Sequence, residues 1–233
     1  MASGGAINGF DLAILKFLNH LSDRSGPVDQ LMILFAQADL LKGGVILTLL
    51  WWVWFREGKD KGRDQSVVLA TIIGAIVAVL LARSLAVILP FRLRPVLYFR
   101  NPGDPPLDLL KEWSSFPSDH ASLYFALATG IFMAARQLGA FSLAYVALCI
   151  CFPRVHLGLH YPTDILAGAA LGGTVAYAAN LTSIRQPLTA PFLAFAKRRP
   201  SLFYAGLFLL TQQIATLFKD PRDIGTFLLS LLR

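Results

Sequence analysis

The sequence predicts an all-α, polytopic membrane protein: a six-transmembrane-helix bundle preceded by an N-terminal interfacial amphipathic helix. Three observations predict it. Of 233 residues, 55% are hydrophobic and only 15% are charged, against roughly 25% charged in ordinary soluble domains; a water-soluble core could not hide that much apolar surface. Six apolar runs approach the ~20 residues a helix needs to span the hydrocarbon core. The basic residues gather in alternate loops between those runs. A single membrane-embedded domain is expected over residues 1–233, with no internal repeat and no low-complexity stretch.

The elements follow in order. Phe10, Ile14, Phe17, Leu18 and Leu21 recur at helical spacing, which suits a helix lying on the membrane surface. The first span covers roughly Leu31–Phe55; Asp39 and Lys42 interrupt it and narrow the span proper toward Leu41–Phe55 with a kinked lead-in. The second, Ser66–Leu89, is clean except for Arg83. The third and fourth, Ala121–Ala135 and Gly139–Cys151, are short. The fifth, Ile165–Leu181, is rich in Gly and Ala, which favours close helix packing. The sixth is Leu202–Phe218, and Ile224–Leu232 offers a second amphipathic segment. Residues 1–6 lack the basic region of a cleaved signal peptide, so targeting is expected to come from the spans themselves.

Charge sets the expected orientation. Arg56, Lys59, Lys61 and Arg63 follow the first span, Arg136 separates the third from the fourth, and Arg185, Lys197, Arg198 and Arg199 follow the fifth. In a six-span chain these loops share one side, and the positive-inside rule makes it cytoplasmic. Trp51, Trp52 and Trp54 fit an aromatic belt at that interface. The net charge of +7 is dispersed among short loops rather than collected on one face, which argues against a nucleic-acid partner. Cys149 and Cys151 lie in an apolar run and read as packing residues; His20 reads as an interfacial surface residue.

The most unusual polar residues fall on the opposite side, in the loop from Pro90 to Pro117 and around Arg154–Thr163. The first loop exceeds the ~12–15 residues beyond which loops are usually functional or disordered. Arg154, His160 and Asp164 come first. A carboxylate four residues after a histidine fixes the imidazole tautomer and frees the other nitrogen as nucleophile or base, while Arg154 supplies a fork matched to phosphate oxygens. The bland alternative is an interfacial arginine beside a structural His–Asp pair. The second cluster is Phe116-Pro-Ser-Asp-His120, where Ser118 suits a helix N-cap, the helix end suits an anion, and His120 is placed to protonate a leaving oxygen; an ordinary cap is the alternative. The third is Pro90-Phe-Arg-Leu-Arg-Pro95, whose Arg92 and Arg94 either clamp a phosphoryl group or anchor the interface. All three clusters share one predicted face and one chemistry, holding and attacking a phosphoryl group.

The ordered set Arg94-Pro95, Pro117-Ser118-Asp119-His120 and Arg154-x5-His160-x3-Asp164 resembles the three signature motifs of the type-2 phosphatidic acid phosphatase superfamily, with a motif core at residues 83–168. The resemblance implies a membrane lipid phosphatase. His160 would attack phosphorus and form a phosphohistidine, Asp164 would orient His160, and His120 would protonate the leaving group. Arg94, Arg154 and Ser118 would hold the phosphoryl oxygens. It implies no metal and no cofactor, with a lipid phosphate as substrate and membrane lipids as partners.

Two departures stand out. The family's first motif begins with a lysine where this chain has Val87, and Arg92, or failing it Arg83, would replace that cation. The second motif carries Asp119 where glycine is usual. The Pro-Ser-Asp-His form resembles bacterial undecaprenyl diphosphate phosphatases, which implies a bacterial inner (cell) membrane; the loop charges place the site on its outward side. Asp119 would position His120 or bias the site among substrates, and His156 reads as a supporting or structural residue. A phosphotransferase using the same phosphohistidine, and a non-enzymatic scaffold or transporter, remain alternatives. The sequence assigns neither the lipid nor the oligomeric state.

Overall fold

Proline and breaks in the apolar runs set the helix boundaries. The computed structural model describes residues 7–21, 26–58, 60–98 and 113–219, and among these all regular structure is helical. Residues 99–112 of the long loop and the expected tail helix Ile224–Leu232 lie outside the described residues, as does the side chain of His20. α1 (Gly9–Leu21) is followed by α2 (Pro27–Gln37), which opens on proline, a favoured first helical residue because its missing N–H would be unpaired anyway. The chain then bends by 67° at the extended residue Ala38. A π-helical turn, Leu40–Gly44, leads into α3 (Val45–Phe55). The kinked lead-in expected at Asp39 and Lys42 is therefore present as a separate helix and a bend.

α4 (Lys61–Ile88) ends at Leu89, whose ψ of 158° is extended, the conformation that the following Pro90 imposes. After the single turn α5 (Pro95–Tyr98), α6 (Asp119–Ala134) starts on Ser118, whose Oγ accepts the N–H of Ala121. α7 (Arg136–Tyr145) runs through a π-helical stretch, Val146–Cys151, into α8 (Phe152–His156). Pro153 explains the wide turns: it has no N–H to give and its ring crowds the carbonyl four residues back, and a π segment absorbs that misfit. α9 (Pro162–Ala179) bends by 74° into α10 (Thr182–Arg198), and α11 (Pro200–Ala215) completes the described helices.

α6 is the centre of the bundle and packs most extensively against α4 and α9. Leu123, Leu127 and Ile131 of α6 are buried with Ile72, Ala75 and Val79 of α4. On α9, a Cβ at Gly168 or Gly172 would run into the backbone oxygens of Ser118 and Ser122. Glycine at these two positions lets α9 lie directly on the first turns of α6, which brings the second and third motifs together.

The outside of the bundle is apolar. Leu80, Val87, Ile88, Leu148, Leu202, Phe208 and Leu209 are all strongly exposed, more apolar surface than a soluble monomer leaves uncovered. Among the described residues, two helices, Lys61–Ile88 and Arg136–His156, are long and apolar enough to cross a membrane, and four are if each bent pair is one crossing. Each of the six expected spans is largely helical, but α6 and α11 have only 16 residues each.

Two expectations change. Phe10 and Phe17 of α1 point outward, but Asp11, Leu15 and Leu18 are buried, packed with Val155 and Tyr161 against α8 and α9; one face of this helix is docked on protein. The tryptophans are not a uniform belt. Trp52 is exposed, whereas Trp51 donates to Thr211 Oγ1 and the buried Trp54 donates to Tyr204 Oη, both on α11. Their indole N–H groups find partners inside the bundle, which buried indoles require.

Candidate active site

A cavity of about 490 Å³ opens at the end of the bundle where α4 stops and α6 and α9 begin. Among the side chains that line it are Arg83, Arg94, Asp119, His120, Arg154 and His160, drawn from five segments. Asp39, Lys42, Trp113 and Lys219 also border it.

The turn that presents His160 depends on Gly158. α8 stops at Leu157, and Gly158 follows with φ +65°, a left-handed conformation that glycine adopts without strain and that commonly ends helices. The chain folds back so that the N–H groups of Leu159 and His160 both reach the carbonyl of Arg154. Arg154, in the last turn of α8, is thereby held beside His160, and its guanidinium donates to Ile150 O at 2.6 Å. The Gly158 carbonyl accepts from Val96 N at 2.8 Å, which ties α5 to the same turn.

His160 is 3% exposed. Its Nδ1 lies 2.9 Å from the carbonyl oxygen of Ser115. A carbonyl only accepts, so Nδ1 carries the proton and Nε2 keeps its lone pair. Nε2 lies 3.4 Å from Arg94. Asp164 is farther than a hydrogen bond, with Oδ2 3.7 Å from Nδ1; that oxygen instead accepts the backbone N–H of Tyr161. Asp164 thus acts on His160 as a nearby charge, and the Ser115 carbonyl is its hydrogen-bonding partner. Sequence reasoning missed Ser115 because a backbone carbonyl carries no residue signature.

The other histidine is oriented by its neighbour. Asp119 Oδ1 lies 2.9 Å from His120 Nδ1 and also accepts the backbone N–H of His120. Asp119 Oδ2 lies 3.7 Å from Arg83. The Arg83 NH2 is buried without a hydrogen-bond partner, as is Arg94 Nε. Arg94 donates to Leu159 O at 2.9 Å. Burial lowers its proton affinity from the ordinary guanidinium value, and the charges of Asp119 and Asp164 partly oppose that shift.

The structure brings Arg94, Asp119, His120, Arg154 and His160 to one cavity. It does not bring Arg92, Ser118 or Asp164 to its wall. Ser118 is fully buried and spends its hydroxyl on the α6 cap. Arg92 turns behind the site, where its guanidinium lies 3.9 Å over the Tyr161 ring and donates to Asp164 Oδ1, Thr163 Oγ1 and Asp11 Oδ2. Two carboxylates and an aromatic face hold it there more strongly than the open cavity would. Arg83, the second choice from the sequence, does line the cavity. It lies one helical turn before Val87 on α4, and that i, i+4 relation was the available signal. His156 is paired with Asp29 at 2.5 Å and ties α2 to α8.

The cavity at one end of this helical bundle is lined by arginine and histidine side chains, groups that suit an anion. The chain belongs to the PAP2 superfamily, whose family model matches residues 66–186. It is 36% identical over 90 residues to the bacitracin transport permease protein BcrC of Bacillus licheniformis, covering 39% of this chain and 40% of that protein. It is 25% identical over 166 residues to YbjG of Escherichia coli K12, described as a candidate undecaprenyl-diphosphatase, covering 71% of this chain and 79% of that one. It is 37% identical over 91 residues to the lipid A 4'-phosphatase of Bacteroides thetaiotaomicron, covering 35% of this chain and 38% of that enzyme. The crystal structure of Aquifex aeolicus LpxE shares the fold, with a TM-score of 0.51 at 24% identity over 77% of this chain and 98% of that one.

Proposed function

We propose that the protein is an integral membrane phosphatase that hydrolyses a lipid phosphate or diphosphate through a phosphohistidine on His160. The observation that carries this reading is the bonding of His160: Nδ1 is held by the Ser115 carbonyl while Nε2 is left unprotonated beside Arg94. Nε2 attacks phosphorus, and the N–P bond forms as the P–O bond to the lipid breaks. His120 gives its proton to the departing oxygen. Water then attacks the phosphohistidine, its proton passes to His120, and inorganic phosphate leaves. Arg83, Arg94 and Arg154 stabilise the charge on the phosphoryl oxygens, the main electrostatic demand of phosphoryl transfer.

The six apolar helices are read as six crossings, with α1 at the interface on its Phe10 and Phe17 side. The basic end supports the orientation: Arg56 and Arg63 reach the carbonyls of Ala134 and Met133, so the loops after α3 and α6 share an end, opposite the cavity. That end is cytoplasmic by the positive-inside rule, and the site faces outward from a bacterial inner membrane. Undecaprenyl diphosphate is a candidate substrate by analogy with the described role of the E. coli relative, and a lipid A phosphate by analogy with the Bacteroides one.

Purified protein in detergent is expected to release phosphate from at least one of phosphatidic acid, phosphatidylglycerol phosphate, undecaprenyl diphosphate and lipid A, with EDTA leaving the rate unchanged. A water-soluble short-chain analogue of the cleaved lipid, added outside right-side-out vesicles, is expected to be turned over. No release from any of the four would sink the activity, and turnover only in inverted vesicles would reverse the orientation.

Arg83 replaces the cation that Val87 does not supply. Arg83→Ala is expected to raise KM about tenfold or more, since a charge-assisted hydrogen bond contributes roughly 1.5–3 kcal/mol. Unchanged KM and kcat would remove Arg83 from the site.

A further inference from the structure

Asp11 lies outside the matched family region, residues 66–186, yet it is fully buried behind the site. Its carboxylate accepts four hydrogen bonds. One comes from the side chain of Asn8 at 2.8 Å, which closes the first turn of α1. Two come from Thr163, from N at 3.0 Å and Oγ1 at 2.6 Å, and the first of these satisfies an N–H in the opening turn of α9. The fourth comes from Arg92 NH2 at 2.6 Å. Through NH1 the same guanidinium holds Asp164 Oδ1 at 2.5 Å. Asp11 and Asp164, both fully buried, thus share one cation.

We infer that Asp11 is a positioning residue for the proposed reaction: α1 forms part of the active centre and acts on His160 through Arg92 and Asp164. The physical reason is charge balance. Asp164 stands 3.7 Å from His160 Nδ1, and its negative field favours the cationic imidazole that forms when phosphorus bonds to Nε2. Arg92 in contact with Asp164 offsets that field. Asp11 neutralises Arg92 from its other side and restores the net negative charge facing the ring. In a buried site these interactions are little screened by water. Asp11 also holds Arg92 and the start of α9 in place, so it sets where Asp164 stands. Neither Asp11 nor Arg92 lines the cavity, so the effect belongs to turnover rather than to substrate binding.

The inference rests on the proposed role of His160, and the experiment separates the two. Steady-state phosphate release is measured with whichever lipid of the panel is cleaved. Asp11→Asn keeps the shape and most hydrogen bonds but removes the charge; kcat is expected to fall about tenfold, as for other residues that orient catalytic ligands from behind, with KM changed less than twofold. The same substitution in an Arg92→Gln background is expected to add no further loss, since its effect passes through Arg92. Leu18→Ala, on the same docked face of α1, is expected to lower the thermal midpoint while kcat stays within twofold. Wild-type kcat in Asp11→Asn, or an equal loss with and without Arg92, overturns the inference. If Asp11→Asn does not fold, Arg92→Gln decides on positioning: it removes the anchor between Asp11 and Asp164, so a lower kcat at unchanged KM supports the inference, and a raised KM, or a kcat at or above the wild-type value, overturns it. An active His160→Ala protein would instead sink the underlying mechanism.

Discussion

Replacing His160 with alanine is expected to abolish phosphate release, by at least about a thousandfold, because a covalent route has no substitute once its nucleophile is gone. The ring sits in a prepared setting: Ser115 O takes the Nδ1 proton, Arg94 stands 3.4 Å from Nε2, and Arg154 is hydrogen-bonded to the same turn through its own carbonyl. Alanine leaves these groups assembled around an empty position, so phosphate affinity should persist while turnover disappears. A labelled phosphoenzyme, stable to base and labile to acid as a phosphoramidate is, should be trapped from the unmodified protein and be missing from the variant. Full activity or an unchanged label in His160→Ala would exclude the phosphohistidine.

Replacing His120 with alanine should cost about 10²–10⁴-fold, the usual contribution of a positioned general acid, and the size of the loss should follow the leaving group. A lipid alkoxide needs a proton as it departs. An aryl phosphate of low leaving-group pKa hardly does, so His120→Ala should lose far less rate with it. Asp119 makes this role credible, since it holds the ring by Nδ1 while also fixing the first turn of α6. Equal losses with both substrates would mean that His120 binds rather than protonates.

The two histidines and Arg154 were readable because each breaks a strong local rule. Ionisable groups beside apolar spans are costly and by default mark function, and their spacing depends only on short-range helix and turn geometry. The helices were readable for the same reason: long apolar runs between prolines have few other folded forms. The inward facing of Trp51 and Trp54 was not, because periodicity tells which face a residue occupies but not what covers that face.

Arg92 shows the limit most clearly. On a basic, extended segment two residues before Arg94, it looked like a phosphate ligand. Its partners are Asp11, 81 residues away, and Asp164, 72 residues away, and a pairing at that range has no local signature. By itself the sequence determined the all-helical class, the family that the motif residues indicate and the capped turn that starts α6. Only the tertiary structure decided which arginines face the cavity, that a backbone carbonyl holds His160, and that α1 supplies a buried carboxylate behind it. Those choices depend on which charges become neighbours once α9 lies against α6 and α1 docks on α9, and an ion pair forms where folding brings two charges together, whatever their distance along the chain.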